Sequence, residues 1–467
     1  MVLALGRAAA RVFAGDRFLI GRDTRISGGL LQAALAAGLM AEGFHVADVG
    51  VLPTPGVAWL SAADGYPGAV ISASHNPFQD NGIKFFAGGG RKLSDEVEGR
   101  LEAELDRLLG AGLVDAGLVD GGPGGADDDE GEAGSAGGSP GGAALAAHLA
   151  AVRIPGPTGA DVGTLSEVDA RVRYLDALVD ALPAGALAGL TLVLDCANGA
   201  ASEVAPEVFR RLGALVYVLH DMPDGRNIND ACGSTYPASL QAEVVARGAD
   251  VGLAFDGDAD RVLAVDAGGR LVDGDQLIAV CALDRQATGR LPDSTVVVTV
   301  MANLGFRQAM REAGIALVET AVGDRYVLEA LEKGGWSLGG EQSGHVIFRD
   351  LATTGDGILT GLQLLDVVVR SGRPLADLAS VVVRRPQVLR NVAVETRGSV
   401  ADDAALFAAI AEVEAGLGDA GRVLIRASGT EPVIRVMVEA ETMPAAEEAC
   451  ATLCQAVMRT MGSQVSR

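Results

Sequence analysis

Aromatic side chains are scarce: Phe, Trp and Tyr make up 4% of the 467 residues. Lysine is scarcer still, at positions 84, 92 and 333 only, so nearly all the positive charge is arginine. With the Ala and Gly excess this reads as the coding bias of a GC-rich genome, not as a function. Net positive charge is also missing: 37 basic against 61 acidic side chains leave −24. Such a chain is a poor partner for nucleic acid or an anionic membrane. No apolar run is long enough to span a bilayer. The five cysteines (Cys196, Cys232, Cys281, Cys450 and Cys454) are odd in number and show no tight metal-binding spacing. Free thiols in a reducing cytoplasm are expected. Arg7 and Arg11 interrupt the apolar start, which argues against a secretory signal and for an amphipathic first helix. No short-period repeat is visible, which argues against a solenoid.

What is present is enough apolar material, 49% of residues, to bury sizeable cores and exclude global disorder. Length suggests roughly three domains at about 150 residues each. Short apolar runs at 17–21, 69–72, 190–194, 251–255 and 295–300 alternate with helical patterns such as 28–43. That alternation predicts parallel α/β sheets. One segment breaks the pattern. Residues 111–165 hold fifteen Gly, eight acids and one Arg, and contribute −7 of the net charge. This insert has too little apolar surface to offset chain entropy, so its centre is expected to be disordered. A helix is expected to start near Thr164, with a domain boundary at 165. A second boundary follows Pro386, where a strand-rich tail is expected.

Four strings carry chemistry. The first runs Ile71-Ser72-Ala73-Ser74-His75-Asn76-Pro77 and on to Lys84. A loop after a parallel strand is where α/β sheets hold ligands. Ser74 suits a nucleophile or phosphoryl carrier, with His75 and Lys84 at hand for proton transfer and charge. The second, Asp256-Gly257-Asp258-Ala259-Asp260-Arg261, sets three carboxylates at alternate positions. They can converge on one hard cation such as Mg²⁺. An EF-hand Ca²⁺ loop is the lesser reading, since its distal Glu is missing. The third, Gly339-Gly340-Glu341-Gln342-Ser343-Gly344-His345, offers Glu341 and Ser343 to hydroxyls and suits a sugar, or forms a turn into a strand at 345–348. The fourth, Arg426-Ala427-Ser428-Gly429-Thr430-Glu431-Pro432 with Arg435, has the makings of a phosphate cradle. A softer string, Gly21 to Gly28, sets Arg25 at a strand-to-helix turn where it can face a phosphate; Asp23 there can simply cap the turn. Together these parts point to phosphoryl transfer on a sugar phosphate.

With these strings the sequence resembles the α-D-phosphohexomutase family. Asp195 to Ala200, Asn227-Ile228-Asn229, Cys232 to Thr235 and Val322 to Val327 resemble its branch acting on glucosamine phosphates. The resemblance implies an α/β fold of four domains around a central cleft. Three have mixed or parallel α/β sheets, and a C-terminal α+β domain closes the chain. The expected bounds are 1–110, 166–275, 276–385 and 386–467, with 111–165 as insert. The resemblance implies a phosphate carried covalently on Ser74 and one Mg²⁺ held by Ser74, Asp256, Asp258 and Asp260. It implies catalytic roles for Ser74, His75, Lys84 and Arg25. Substrate contacts fall to Arg261, Glu341, Ser343, His345, Arg426, Ser428, Gly429, Thr430 and Arg435. The implied partner is a small sugar phosphate, with no nucleic acid or membrane, in the cytoplasm. Glucosamine 6-phosphate and glucosamine 1-phosphate would interconvert through a bisphosphorylated sugar. Glucose or mannose phosphates are the rival substrates. The family's usual opening segment, Gly-Thr-Asp-Gly-Ile-Arg-Gly, has no counterpart in this sequence, which keeps a catalytically impaired sugar-phosphate binder as an alternative.

Overall fold

The computed structural model describes residues 1–115, 157–394, 404–427 and 433–461. The acidic centre of the insert, and Ser428, Gly429 and Thr430, lie outside the described residues. Two compact units are formed: Met1–Val265 with Asp350–Leu362, and Asp266–Arg349 with Gln363–Arg467. Among the described residues no helix is long and apolar enough to cross a membrane.

The first unit opens on the expected helix, α1 (Val2–Val12), which packs on α2 (Gly28–Met40). Their backbones touch at Gly6 and Gly38, where a Cβ on either would collide with a carbonyl of the other helix. The arginines that interrupt the apolar start are both ion-paired. Buried Arg7 holds Glu42 through Nε at 2.6 Å, and Arg11 bridges Glu42 at 2.8 Å and Glu104 at 2.9 Å. The few aromatics concentrate beneath, as Phe13, Phe18, Phe44 and Phe85 stack edge-on or tilted in one cluster.

Six strands make the first sheet: β1 (Arg17–Arg22), β2 (His45–Val51), β3 (Gly68–Ile71), β4 (Ile83–Ala87), β5 (Arg91–Lys92) and β6 (Leu165–Glu167). Their order is β5-β4-β3-β1-β2-β6. β3, β1, β2 and β6 run parallel, β4 returns antiparallel to β3, and β5 pairs antiparallel with β4. The return sets Lys84 opposite Val70, beside the loop that leaves β3. One expectation is corrected here. The helix predicted from Thr164 is strand β6, and the next helix starts at Arg171. All three β6 residues are exposed, so no apolar period marked them; pairing with the edge of β2 decides their state.

The rest of the first unit is built on β7 (Thr191–Asp195), β8 (Leu215–Leu219), β9 (Val251–Phe255) and β10 (Val262–Asp266), in the order β10-β9-β7-β8. β7 lies parallel to β8 and β9, and β9 is buried along its whole length. The segment after Asp350 belongs to this unit. Thr353 Oγ1 donates to the Gly90 carbonyl at 2.8 Å, and Gly357 N to that of Ala259 at 2.9 Å.

In the second unit, β11 (Leu271–Val272) precedes a sheet of β12 (Thr295–Thr299), β13 (Ala316–Thr320), β14 (Leu338–Gly340) and β15 (Val346–Phe348), ordered β13-β12-β14-β15. Only β15 is antiparallel. The C-terminal sheet, β16 (Gln387–Ala393), β17 (Arg422–Ala427) and β18 (Val433–Glu439), is wholly antiparallel, ordered β16-β18-β17. The tail is less strand-rich than expected, because helices Ala404–Leu417 and Met443–Met461 cover this sheet. Cys450 and Cys454 point into that core with Leu453 and Val457.

Candidate active site

β3 ends at Ile71, and the chain turns sharply through Ser72 and Ala73. Ser74 then sits at φ 51°, a left-handed conformation that is strained for a residue with a Cβ. The Ser72 hydroxyl holds it by accepting from Ser74 N at 2.9 Å. Two further groups grip the loop's carbonyls. Asn229 Nδ2 donates to Ser74 O at 2.9 Å and Asn76 O at 3.0 Å. Arg25 Nη2 donates to the same two oxygens at 3.3 and 2.6 Å. The buried Arg25 side chain is also paired with Asp23. Arg25 thus shapes the backbone around Ser74 from the strand-to-helix turn.

The acidic loop follows buried β9. Asp256, Asp258 and Asp260 are all buried, and their carboxylates offer oxygens that all lie within 4.8 Å of one another. Asp256 Oδ2 accepts from the Ser74 hydroxyl at 2.6 Å. Asp258 Oδ2 accepts from Thr54 Oγ1 and from Lys84 Nζ, each at 2.6 Å, and Asp260 Oδ2 accepts from Lys84 at 3.2 Å. Asp258 Oδ1 is buried with no hydrogen-bond partner. An orphaned buried carboxylate oxygen beside two other carboxylates is costly unless a cation completes the set. Gly257 is required by close approach: its Cβ would stand 2.6 Å from Ser74 O and 2.8 Å from Asn229 Nδ2.

Charge is arranged accordingly. Burial, then Asp260 and Asp258, push the Asp256 carboxyl well above the usual range, with Arg261 and the Ser74 hydroxyl opposing. Burial lowers the Lys84 ammonium, but Asp258, Asp260 and Asp256 outweigh it and hold Lys84 above its ordinary value. Burial, then Arg261, lower His75. Its Nδ1 accepts from Arg261 Nη1 at 3.0 Å and lies 3.4 Å from Ser74 Oγ. One cluster in the first unit thus brings together Ser74, His75, Lys84, Arg261 and the three aspartates.

The other expected residues lie in the second unit. Glu341 Oε1 accepts from Gly323 N at 3.2 Å, and Ser343 Oγ donates to Glu341 Oε2 at 3.3 Å. Both side chains are half-buried, so they keep access to solvent. His345 differs: it is 2% exposed, with Nε2 3.3 Å from Asp324. It packs as a buried histidine paired with a carboxylate. Arg426 and Arg435 are cross-strand partners on β17 and β18. Burial, then Arg435, lower the Arg426 guanidinium. Like charges placed opposite one another are unfavourable unless an anion joins them.

Sequence reasoning missed Asn229, Thr54 and Asp356. Asn229 was legible only as part of the Asn227-Ile228-Asn229 string, which carries no role by itself. Thr54 has no local signal at all. Asp356 accepts from Tyr174 Oη at 2.7 Å and from Leu359 N at 2.9 Å, capping the helix whose Gly357 N donates to Ala259 O in the acidic loop.

Comparison with known proteins shows the family. The phosphoglucomutase/phosphomannomutase domain models match in sequence: α/β/α domain I at residues 1–109, II at 172–269, III at 273–385 and the C-terminal domain at 389–456. The phosphoglucosamine mutase of Moorella thermoacetica is 50% identical over 445 residues, 94% of this chain and 90% of its own. That of Rhodococcus jostii is 50% identical over 456 residues, 96% and 93% of the two chains. A phosphoglucomutase/phosphomannomutase family protein of Burkholderia thailandensis shares the fold at TM-score 0.73 and 24% identity, over 98% of this chain and 93% of that one. The N-acetylphosphoglucosamine mutase of Aspergillus fumigatus, solved with GlcNAc-6P and magnesium, does so at 0.62 and 20%, over 86% and 92%. With all four domains matched and half of its residues shared with such relatives over nearly its full length, the chain belongs to the phosphoglucomutase/phosphomannomutase family of phosphohexomutases, which are isomerases.

Proposed function

We propose that the protein interconverts glucosamine 6-phosphate and glucosamine 1-phosphate, with Ser74 as the phosphoryl carrier. The observation that carries this reading is the Ser74 hydroxyl, fixed in a strained loop and donating to Asp256 beside two further buried carboxylates. The glucosamine assignment rests on the relatives of 50% identity.

Asp256, Asp258, Asp260 and phosphorylated Ser74 would hold one Mg²⁺, whose hard oxygen ligands these are. When bound, the ion neutralises charge on the transferring phosphoryl oxygens. The remaining work falls to the chain. A P–O bond forms to the C1 hydroxyl oxygen of glucosamine 6-phosphate as the P–O bond to Ser74 breaks. The 6-phosphoryl group of the resulting bisphosphate then returns to Ser74. Lys84, held as an ammonium by its carboxylates, supplies positive charge and does not act as a base. In the forward step the C1 hydroxyl loses its proton as Ser74 Oγ gains one, and in the return step Ser74 Oγ loses its proton as the sugar O6 gains one; His75, kept neutral by burial and Arg261 and 3.4 Å from Ser74 Oγ, is suited to take the Ser74 proton in the return step. Glu341 and Ser343 are suited to hydroxyl groups, and the Arg426–Arg435 pair to the phosphate that is not reacting. The five unpaired, buried cysteines are compatible with a cytoplasmic protein.

The test is a coupled assay of full-length protein on glucosamine, glucose and mannose 6-phosphates. The reading predicts the highest kcat/KM on the glucosamine compound and no turnover by Ser74→Ala. Equal or better turnover of glucose or mannose phosphate would transfer the assignment to that sugar, and an active Ser74→Ala would remove the mechanism.

A further inference from the structure

The loops that carry Asn229 hold a second constellation of metal-ligand type, away from the aspartate triad. Asp195 is the last residue of β7, and its register partner on β8 is Leu219, so His220 follows directly beside it. Cys232 reaches the same point from the loop before Gly233. Nδ1 or Nε2 of His220, Sγ of Cys232 and a carboxylate oxygen of Asp195 all lie within 4.8 Å of one another. The signal was invisible in the sequence, because spacings of this length match no metal motif. The fold creates the cluster at the carboxyl ends of adjacent parallel strands, where α/β sheets bind ligands.

We propose that Asp195, His220 and Cys232 form a binding site for a thiophilic divalent cation of the Zn²⁺ class. Three observations support it. The donor set of one nitrogen, one sulfur and one carboxylate oxygen is that of zinc and unlike the all-oxygen triad. His220 Nδ1 stands 3.0 Å from Asp195 Oδ1, so imidazole and carboxylate already face one another. That separation is close to the roughly 3.3 Å edge of a tetrahedron built on zinc–nitrogen and zinc–oxygen bonds of about 2.0–2.1 Å. The backbone is also held in strain to present these groups. Nine non-glycine residues among those described have left-handed φ, and Ala197, Asn198, His220, Asn229 and Ala231 are five of them.

The carboxylate is already aimed. Asp195 Oδ1 accepts from Ala197 N at 3.0 Å and Oδ2 from Gly233 N at 2.9 Å. These contacts orient the ligand as outer hydrogen bonds do in metal centres. The ion displaces the Cys232 thiol proton on binding, so affinity rises with pH. His220 is partly exposed, which leaves room for water as a fourth ligand. An ion here would tie the 195–199 turn to the loop of Asn229, whose N–H donates to Ala197 O at 2.9 Å. It would therefore stiffen the cradle around Ser74.

The probe is Co²⁺, titrated into chelator-treated, full-length protein with excess Mg²⁺ present to occupy the triad. The proposal predicts one thiolate-to-cobalt charge-transfer band in the near ultraviolet, stronger at higher pH and erased by Zn²⁺. Cys232→Ser should abolish the band. His220→Gln, which alters a partly exposed side chain, should weaken binding at least about 100-fold while leaving the protein folded. No band in the parent protein, or a band that persists in Cys232→Ser, would overturn the proposal. So would unchanged Co²⁺ affinity in a folded His220→Gln.

Discussion

Lys84 is one of three lysines, and its surroundings fix what it can do. Its ammonium is locked between Asp258 and Asp260 and cannot readily lose a proton. Its contribution is charge, delivered at the loop where phosphoryl oxygens would gather. Lys84→Met should therefore lower kcat by about 10²–10³, the usual effect of removing one transition-state charge partner. Steady-state kinetics on glucosamine 6-phosphate checks this. Asn229 acts one step removed, by gripping the carbonyls of Ser74 and Asn76. Asn229→Ala should cost about thirtyfold in kcat, the scale of two lost hydrogen bonds at roughly 1 kcal/mol each. KM should stay nearly constant, because Asn229 holds the loop backbone and does not bind the sugar in this account. A shift in KM with constant kcat would count against that role. Ser74 and the three aspartates were legible in the sequence because each group lies within one short loop after a strand. Asn229 and Thr54 were not, because only tertiary contacts across 155 and 204 residues give them meaning.

At the scale of elements, the strands with continuous apolar runs were legible, and β9 was predicted at its observed limits. β6 was not, since an exposed edge strand of three residues is made by its neighbour's hydrogen bonds and not by its own side chains. Helix ends in the second unit carry a further consequence. Asp273 caps the helix Gly274–Ala287 with a reciprocal bond to Gln276, and Asp275 sits in its first turn. Asp275 Oδ2 accepts from Asn303 N at 2.8 Å, at the start of the next helix. Burial, then Asp273, raise its carboxyl to about 8, with Glu439 adding and Arg384 opposing. The unfolded chain releases this proton near the ordinary carboxylate value of 3.8, while the folded protein keeps it to about 8. The unfolded state thus binds fewer protons in that window, and stability falls as pH rises from about 4 to about 8. Asp275→Asn should remove this slope and raise the melting temperature more at pH 8 than at pH 5. Parallel pH–stability curves for the two proteins would refute the assignment.

At the scale of the whole molecule, four domains supply a hydroxyl-bearing loop, an acidic loop, a Glu–Ser loop and an arginine pair, within a chain of net charge −24. An anionic substrate meets a repulsive long-range field and an attractive one only at short range. Salt screens the first more than the second, the Debye length shrinking from roughly 30 Å at 0.01 M to about 8 Å at 0.15 M. kcat/KM should therefore rise over that interval in stopped assays at fixed free Mg²⁺, and a steep fall would show that local positive charge dominates encounter. The central claim is that Ser74 carries the phosphoryl group that reaches the sugar. Its most direct measurement is a rapid-quench experiment, mixing protein radiolabelled on phosphoserine 74 with unlabelled glucosamine 6-phosphate. The account predicts that label leaves Ser74, passes through a bisphosphorylated sugar and ends on glucosamine 1-phosphate. Label that stays on Ser74, or that leaves as inorganic phosphate, would contradict it.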